Sequence, residues 1–311
     1  STMIAEENYG QKQLHGLQWG IHRFDKPGNK IKLVKFGGDV ERLKYQNLKT
    51  VTPKDRLIVM GNVWVHKDPR EASLFRHPKE LAQTGADWWY WDNPSLPHLL
   101  YKGDWNPYGY KNWMRLVKNA TATHTQVGTG EARINQQLDQ LTNGRITAWQ
   151  EIVGPIRPVE VRTKTVLLCP SGSHIFPNYY NTTKDAWVEE KKQQLENLGW
   201  RVIVRPKPSR QGREINNNKL YEILVKERIG LTVSMHSIGP IESLLCGVPS
   251  ISEGAHGGGE LVTPWQEFLQ TQELRQPTQQ QRFDWVNNIL SETFHKTECY
   301  EGTWKGEHNG I

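Results

Sequence analysis

Cysteine is scarce. Cys169, Cys246 and Cys299 are odd in number and far apart, with no CxxC pair. That spacing excludes a disulfide framework and a paired-thiolate zinc site, and makes a reducing cytoplasm the expected location. No apolar run approaches the roughly 18–20 residues that span a bilayer, so no membrane partner is expected. A secretory leader is missing too; Ser1-Thr2-Met3 reads as a tag remnant before an initiator methionine, and the sequons at Asn119 and Asn181 then carry little weight. Low-complexity sequence is confined to Gln270 to Gln281, and internal repeats are absent. The apolar share of 36% is low, yet above the range of chains too polar to form a core.

What is present is length, tryptophan and a mild excess of cations. A chain of 311 residues has room for two domains of about 150. Thirteen tryptophans serve either as core or as stacking surface for sugars and bases. Thirty-nine Lys+Arg against 33 Asp+Glu give +6, a balance compatible with a polyanionic partner such as double-stranded DNA.

The second half carries the clearest rhythm. Thr165 to Cys169, Trp200 to Val204, Leu231 to Met235 and Pro249 to Ser252 read as buried strands. Helices are expected at Thr183 to Leu198, with acidic residues early and Gly199 as its cap, and at Leu220 to Lys226. In the first half, Ile31 to Phe36, Arg56 to Met60 and Asp87 to Trp91 read as strands. Helical residues are expected between Arg70 and Gln83 and from Glu131 to Leu141, while residues 1 to about 30 read mostly as loop. Leu99 to His124, crowded with aromatics and cations but broken by Gly103, Pro107 and Gly109, reads as an irregular surface excursion. Trp149 to Arg162 reads as a linker, and Phe283 to Phe294 as a last amphipathic helix. Strands alternating with helices imply an α/β chain of two Rossmann-like halves, 1–154 and 155–311.

The stretch from Leu231 to Glu260 organises the rest. A strand runs into a polar turn, His236-Ser237-Ile238, and then into a short helix opened by Gly239-Pro240 and closed by Gly247. Amide hydrogens at such a helix start face the turn, where an anion is favoured. Glu242 lies in the first turn, one helical step away, where a carboxylate can reach a ribose hydroxyl. The same residues also suit an ordinary strand–turn–helix unit whose polar turn only caps the helix. Two more loops are expected at the same sheet edge. One offers Ser171, Gly172 and Ser173, and the other Arg205 and Lys207 among prolines. Cations, hydroxyls and a helix start at one place suit a diphosphate. Gly254 to Glu260, rich in glycine, reads as a flexible loop beside that place, with no dinucleotide fingerprint spacing.

The pattern H-S-x-x-x-x-E-x-L-x-x-G-x-P, formed by His236, Ser237, Glu242, Leu244, Gly247 and Pro249, resembles the donor-site motif of GT-B glycosyltransferases. The likeness runs over about Val166 to Ser252 and points to phage enzymes that glycosylate hydroxymethylated pyrimidines in DNA and to capsule-polysaccharide transferases. It implies two Rossmann-like domains facing across a cleft near residue 155, the C-terminal one binding a nucleotide-diphosphate sugar, with UDP as the family-based expectation. His236 then donates to a phosphate oxygen or to the donor sugar. The transfer needs a base for the acceptor hydroxyl, and Asp92, after an aromatic strand, is the first choice, with Asp39 second. Either also fits plain turn chemistry. No DxD pair stands in a plausible loop, so the leaving diphosphate is expected to be neutralised without a metal. Tyr101, Lys102, Trp105, Lys111, Trp113 and Arg115 combine stacking faces with cations, as an acceptor site on DNA or glycan would, although a packed tryptophan-rich loop has the same composition.

Overall fold

The computed structural model of the chain describes residues 3–7, 31–35, 53, 56–60, 82–92, 95, 113–120, 130–153, 155–173, 175–205, 220–237, 239–295 and 297–298. Two compact units emerge: 1–153 together with 287–311, and 154–286. The chain is mixed α/β, and each unit is built on its own sheet.

Among the described residues, the first unit contains strands β1 (Met3–Glu7), β2 (Ile31–Lys35), β3 (Arg56–Met60), β4 (Asp87–Asp92) and β5 (Trp113–Lys118). Helices α1 (Gly130–Thr142) and α2 (Gln150–Val153) follow. The sheet order is β11-β5-β4-β3-β1-β2, where β11 is Thr293–His295. Pairing is parallel from β2 through β4, and β5 and β11 add antiparallel.

Three expectations are corrected here. Met3–Glu7 is not loop but an inner strand between β2 and β3. Its polar sequence hides it, because a strand hydrogen-bonded on both edges is held by its neighbours rather than by its own periodicity. Trp113 to Lys118, expected within a surface excursion, is likewise a strand, and Trp113 to Val117 are buried. Trp113 packs edge-on against His295, and the Arg115 guanidinium lies over the Tyr90 ring, 5.5 Å from its centroid. Trp149, placed in the linker by composition, is buried. Its indole donates to Glu131 and its amide to Asn135.

Residues from the end of the chain complete this unit. Arg133 on α1 donates to the carbonyls of Leu290 (2.8 Å) and Thr293 (2.6 Å), pairs with Glu298, and stacks over Phe294 at 4.4 Å. A single guanidinium thus ties the segment after residue 287 to α1.

The second unit contains β6 (Thr165–Cys169), α3 (Ile175–Tyr180), α4 (Lys184–Asn197), β7 (Arg201–Val204), α5 (Leu220–Lys226), β8 (Leu231–Ser237) and α6 (Gly239–Leu245). It continues through β9 (Ser250–His256), β10 (Thr263–Pro264), α7 (Trp265–Thr271) and α8 (Gln279–Ser291), within which the chain passes back to the first unit. The sheet is parallel throughout, in the order β10-β9-β8-β6-β7. Both of its faces are covered. Val166 and Leu168 point into one cluster with Phe176, Trp187 and Trp265; Leu167 and Cys169 point into another with Leu220, Leu224 and Val248. This two-sided burial is why β6 reads as an unbroken apolar run. Thr183 caps α4 by accepting the Ala186 amide, and Gly199 ends it at φ +80°.

Gly247 ends α6 at φ +75°, and a Cβ there would lie 2.5 Å from the Pro158 carbonyl oxygen. Left-handed strain and a backbone clash act together, so Gly247→Ala should cost about 2–4 kcal/mol. Chemical denaturation checks this; an unchanged midpoint would show that the 158 segment moves freely away.

Candidate functional site

In the second sheet the strand order reverses between β6 and β8. β7 lies on one side of β6, while β8, β9 and β10 lie on the other. Ligands of open α/β sheets bind outside the carboxyl ends of the two strands flanking such a reversal. The residues there are Ser171 to Ser173 after β6, His236 and Ser237 at the end of β8 and Gly239 at the start of α6, with Arg205 after the neighbouring β7.

The reversal is bridged directly. The Ser171 hydroxyl, 6% exposed, donates to the His236 carbonyl at 3.2 Å. The Gly172 carbonyl accepts the Ile175 amide at 2.9 Å and turns the chain into α3, while Ser173 is exposed. Ser237 accepts the Gly239 amide at 3.0 Å, so its oxygen occupies one of the amide hydrogens expected to face an anion. With seven residues, α6 contributes little dipole.

His236 adopts φ +45°, a left-handed conformation that a residue with Cβ takes rarely. The β8–β9 pairing shifts register between Met235 and Ser237 around it. A bulge of this kind re-aims a side chain at a strand end. The His236 ring meets the Tyr180 hydroxyl, with Nδ1 and Oη 3.2 Å apart. Tyr180 was not singled out by its sequence context; nothing near it in the chain announces a partner 56 positions away.

Glu242 is 7% exposed, and every α6 residue from Pro240 to Leu245 is buried. Its charge, together with burial, raises two thiols. Cys169 is pushed up to about 12, mainly by burial, with Arg205 opposing and Glu242 assisting. Cys246 is pushed up to about 11, again mainly by burial, with Glu242 assisting and Arg157 opposing. Arg205 and Glu242 thus act on the Cys169 thiol with opposite sign. The Arg205 amide donates to the Leu168 carbonyl at 2.9 Å, anchoring the start of that loop.

The segment expected to be a flexible glycine loop is ordered structure. β9 continues through Gly254 and His256, and residues 259–261 form a 3-10 turn. The Trp285 indole donates to the Gly257 carbonyl at 2.9 Å. Behind β9, the Glu253 carboxylate takes Lys191 at 3.0 Å and the Trp187 indole, and the Lys191 ammonium lies 4.6 Å from the Trp265 ring centroid.

Of the other expected residues, Lys207, Ile238, Asp39, Tyr101, Lys102, Trp105 and Lys111 lie outside the described ones. Asp92 ends β4, in register with Arg115. Trp113 and Arg115 are 0% and 5% exposed, which corrects their assignment to an acceptor-stacking surface. Among the described residues, no helix is long and apolar enough to cross a membrane.

Two outcomes follow from the electrostatics. His256 accepts the Gly258 amide at 3.3 Å, and burial, with Arg275 nearby, pushes its pKa down to about 4. The unfolded chain takes up this proton near pH 6.5 and the native protein only near pH 4, so stability is lost as pH falls through that window. His256→Gln should flatten the fall in Tm between those values; an equally steep fall refutes the assignment. Glu242→Gln should speed alkylation of Cys246 by iodoacetamide severalfold at alkaline pH, because one cause raising that thiol is gone. Unaltered labelling would place the carboxylate away from the thiol.

No family model matches the sequence, and no curated protein matches it. Among solved structures, the β-Kdo 2,7-transferase KpsC of Thermosulfurimonas dismutans is similar with a TM-score of 0.46 and 9% identity, over 99% of this chain and 100% of that one. Its β-Kdo 2,4-transferase counterpart gives 0.37 and 11%, over 93% and 89%. The NAD-bound 3-phosphoglycerate dehydrogenase of Entamoeba histolytica gives 0.23 and 10%, over 100% and 97%. At TM-scores below 0.5 and identities this low, these likenesses carry no weight for fold or function, which rest on the chain's own residues.

Proposed function

We propose that the chain is a glycosyltransferase whose second unit binds the nucleotide-diphosphate part of an activated sugar. The observation that carries this reading is the bridged strand reversal: Ser171 and His236 joined across β6 and β8, with Arg205 and buried Glu242 acting on one thiol beside them. A diphosphate needs cationic and hydroxyl donors, and a ribose needs a carboxylate acceptor; this edge supplies both classes within one turn of each strand end. Arg205, with Lys207 after it, neutralises the leaving diphosphate in place of a metal. The Glu242 carboxylate accepts from the ribose hydroxyls. Asp92 is the base that takes the proton from the acceptor hydroxyl.

The donor is tested first. A panel of UDP-, GDP- and ADP-linked sugars should contain one that raises Tm, UDP-sugars being the first choice. Arg205→Ala removes a charge-assisted contact of about 1.5–3 kcal/mol and should weaken that donor about 10- to 100-fold. No shift with any activated sugar would end the proposal. Turnover should survive EDTA; activity abolished and then restored by manganese would overturn the metal-free reading. Asp92→Asn should lower transfer and leave donor affinity unchanged.

The acceptor is a hydroxyl, carried either by a hydroxymethylated pyrimidine in double-stranded DNA or by a capsular or cell-surface glycan. Duplex binding that falls steeply with salt would favour DNA. Trp113 and Arg115, two members of the segment read as a stacking surface for either acceptor, are buried, so neither acceptor draws support from them.

A further inference from the structure

We infer that Tyr180 is a positioning residue that sets the tautomer of His236, so that Nδ1 accepts and Nε2 carries the hydrogen donated to the diphosphate. This rests on the donor-site reading above. Tyr180 Oη and His236 Nδ1 are 3.2 Å apart, with the rings edge to face. Of the two groups, the phenol is the stronger acid toward a neutral imidazole, so the phenol donates and Nδ1 keeps its lone pair. The single ring proton of neutral imidazole then resides on Nε2.

Three separate contacts hold the pair in place. The Ser171 hydroxyl holds the His236 carbonyl, and the register shift beside β9 keeps His236 at φ +45°. Gly254 supplies the third. A Cβ on it would fall 1.6 Å from Tyr180 Oη and 2.6 Å from Cζ, at φ +72°. The phenol thus lies directly on bare β9 backbone, where no side chain other than hydrogen leaves it room. A histidine that only filled space would need neither the unfavourable backbone nor the cleared phenol site. A donor of fixed tautomer aimed at an anion needs both.

The experiment is long-range ¹H–¹⁵N NMR of the full chain labelled at histidine, at about pH 8.5 where imidazole is neutral. His236 should show the Nε2–H pattern in the wild type, and Tyr180→Phe should shift it toward a tautomer mixture. Nδ1–H in the wild type, or a Tyr180→Phe spectrum like the wild type, overturns the inference. Should Tyr180→Phe not fold, the wild-type Tyr180 hydroxyl proton decides: a scalar coupling from it across the hydrogen bond to His236 Nδ1 is expected, and its absence overturns the inference. Titration with inorganic pyrophosphate, common to every candidate donor, should be about tenfold weaker in Tyr180→Phe; equal affinity overturns the link to the diphosphate. A wild type that binds neither pyrophosphate nor any nucleotide sugar sinks the donor-site reading, and the tautomer result stands apart from it.

Discussion

Parallel pairing of β6 with β8 is the constraint on which the site depends. Cys169 is in register with Ser234, so the two strands end within a few residues of one another and release their loops at the same level. Because the next connections leave in opposite directions from this pair, nothing of the sheet covers the gap between them. The Ser171 bond to the His236 carbonyl closes that gap at the backbone and leaves side chains to line it.

Keeping the strands in register requires their polar residues to be satisfied, and β8 and β9 carry many. Thr232 Oγ1 lies 2.9 Å from Ser243 Oγ and 3.0 Å from Ser250 Oγ, donating its one hydrogen to one and accepting from the other; Ser234 donates to Ser252 at 3.2 Å, all buried. These hydroxyls tie α6 to β8 and β8 to β9. A slip of one residue would strand every one of them away from a partner, at a cost of about 1–3 kcal/mol each. The polar ladder inside the sheet is therefore a register device. It fixes His236 and Glu242 relative to one another through Thr232 and Ser243.

How much of this could be read beforehand depends on the range of the interaction. Strands buried on both faces, such as β6 and β8, announce themselves as apolar runs. The ends of α4 and α6 are signalled by Thr183, Gly199 and Gly247 because capping is local chemistry. β1 and β5 were missed for a shared reason: each takes its place from neighbours distant in sequence, and each carries charge. Arg115 reads as surface until Tyr90 is found beneath its guanidinium. At the site, Ser171, Arg205, His236 and Glu242 were legible because they follow strand ends. Tyr180 and Gly254 were not, since their meaning lies in a contact between them that no spacing reveals. The glycine-rich run after Ser252 was misread because composition alone cannot distinguish glycine needed for freedom from glycine needed for clearance.

The charge arrangement narrows how a donor could lie. A carboxylate about 5 Å from a phosphate charge would oppose it by about 3 kcal/mol per unit charge at an effective dielectric near 20. Buried Glu242 would therefore not adjoin the proposed diphosphate; it would face an uncharged, hydroxyl-bearing part of the ligand. Arg205, at the end of β7, is the cation that the proposed phosphates would meet. The proposed donor would then be oriented with its ribose toward α6 and its diphosphate toward the end of β7.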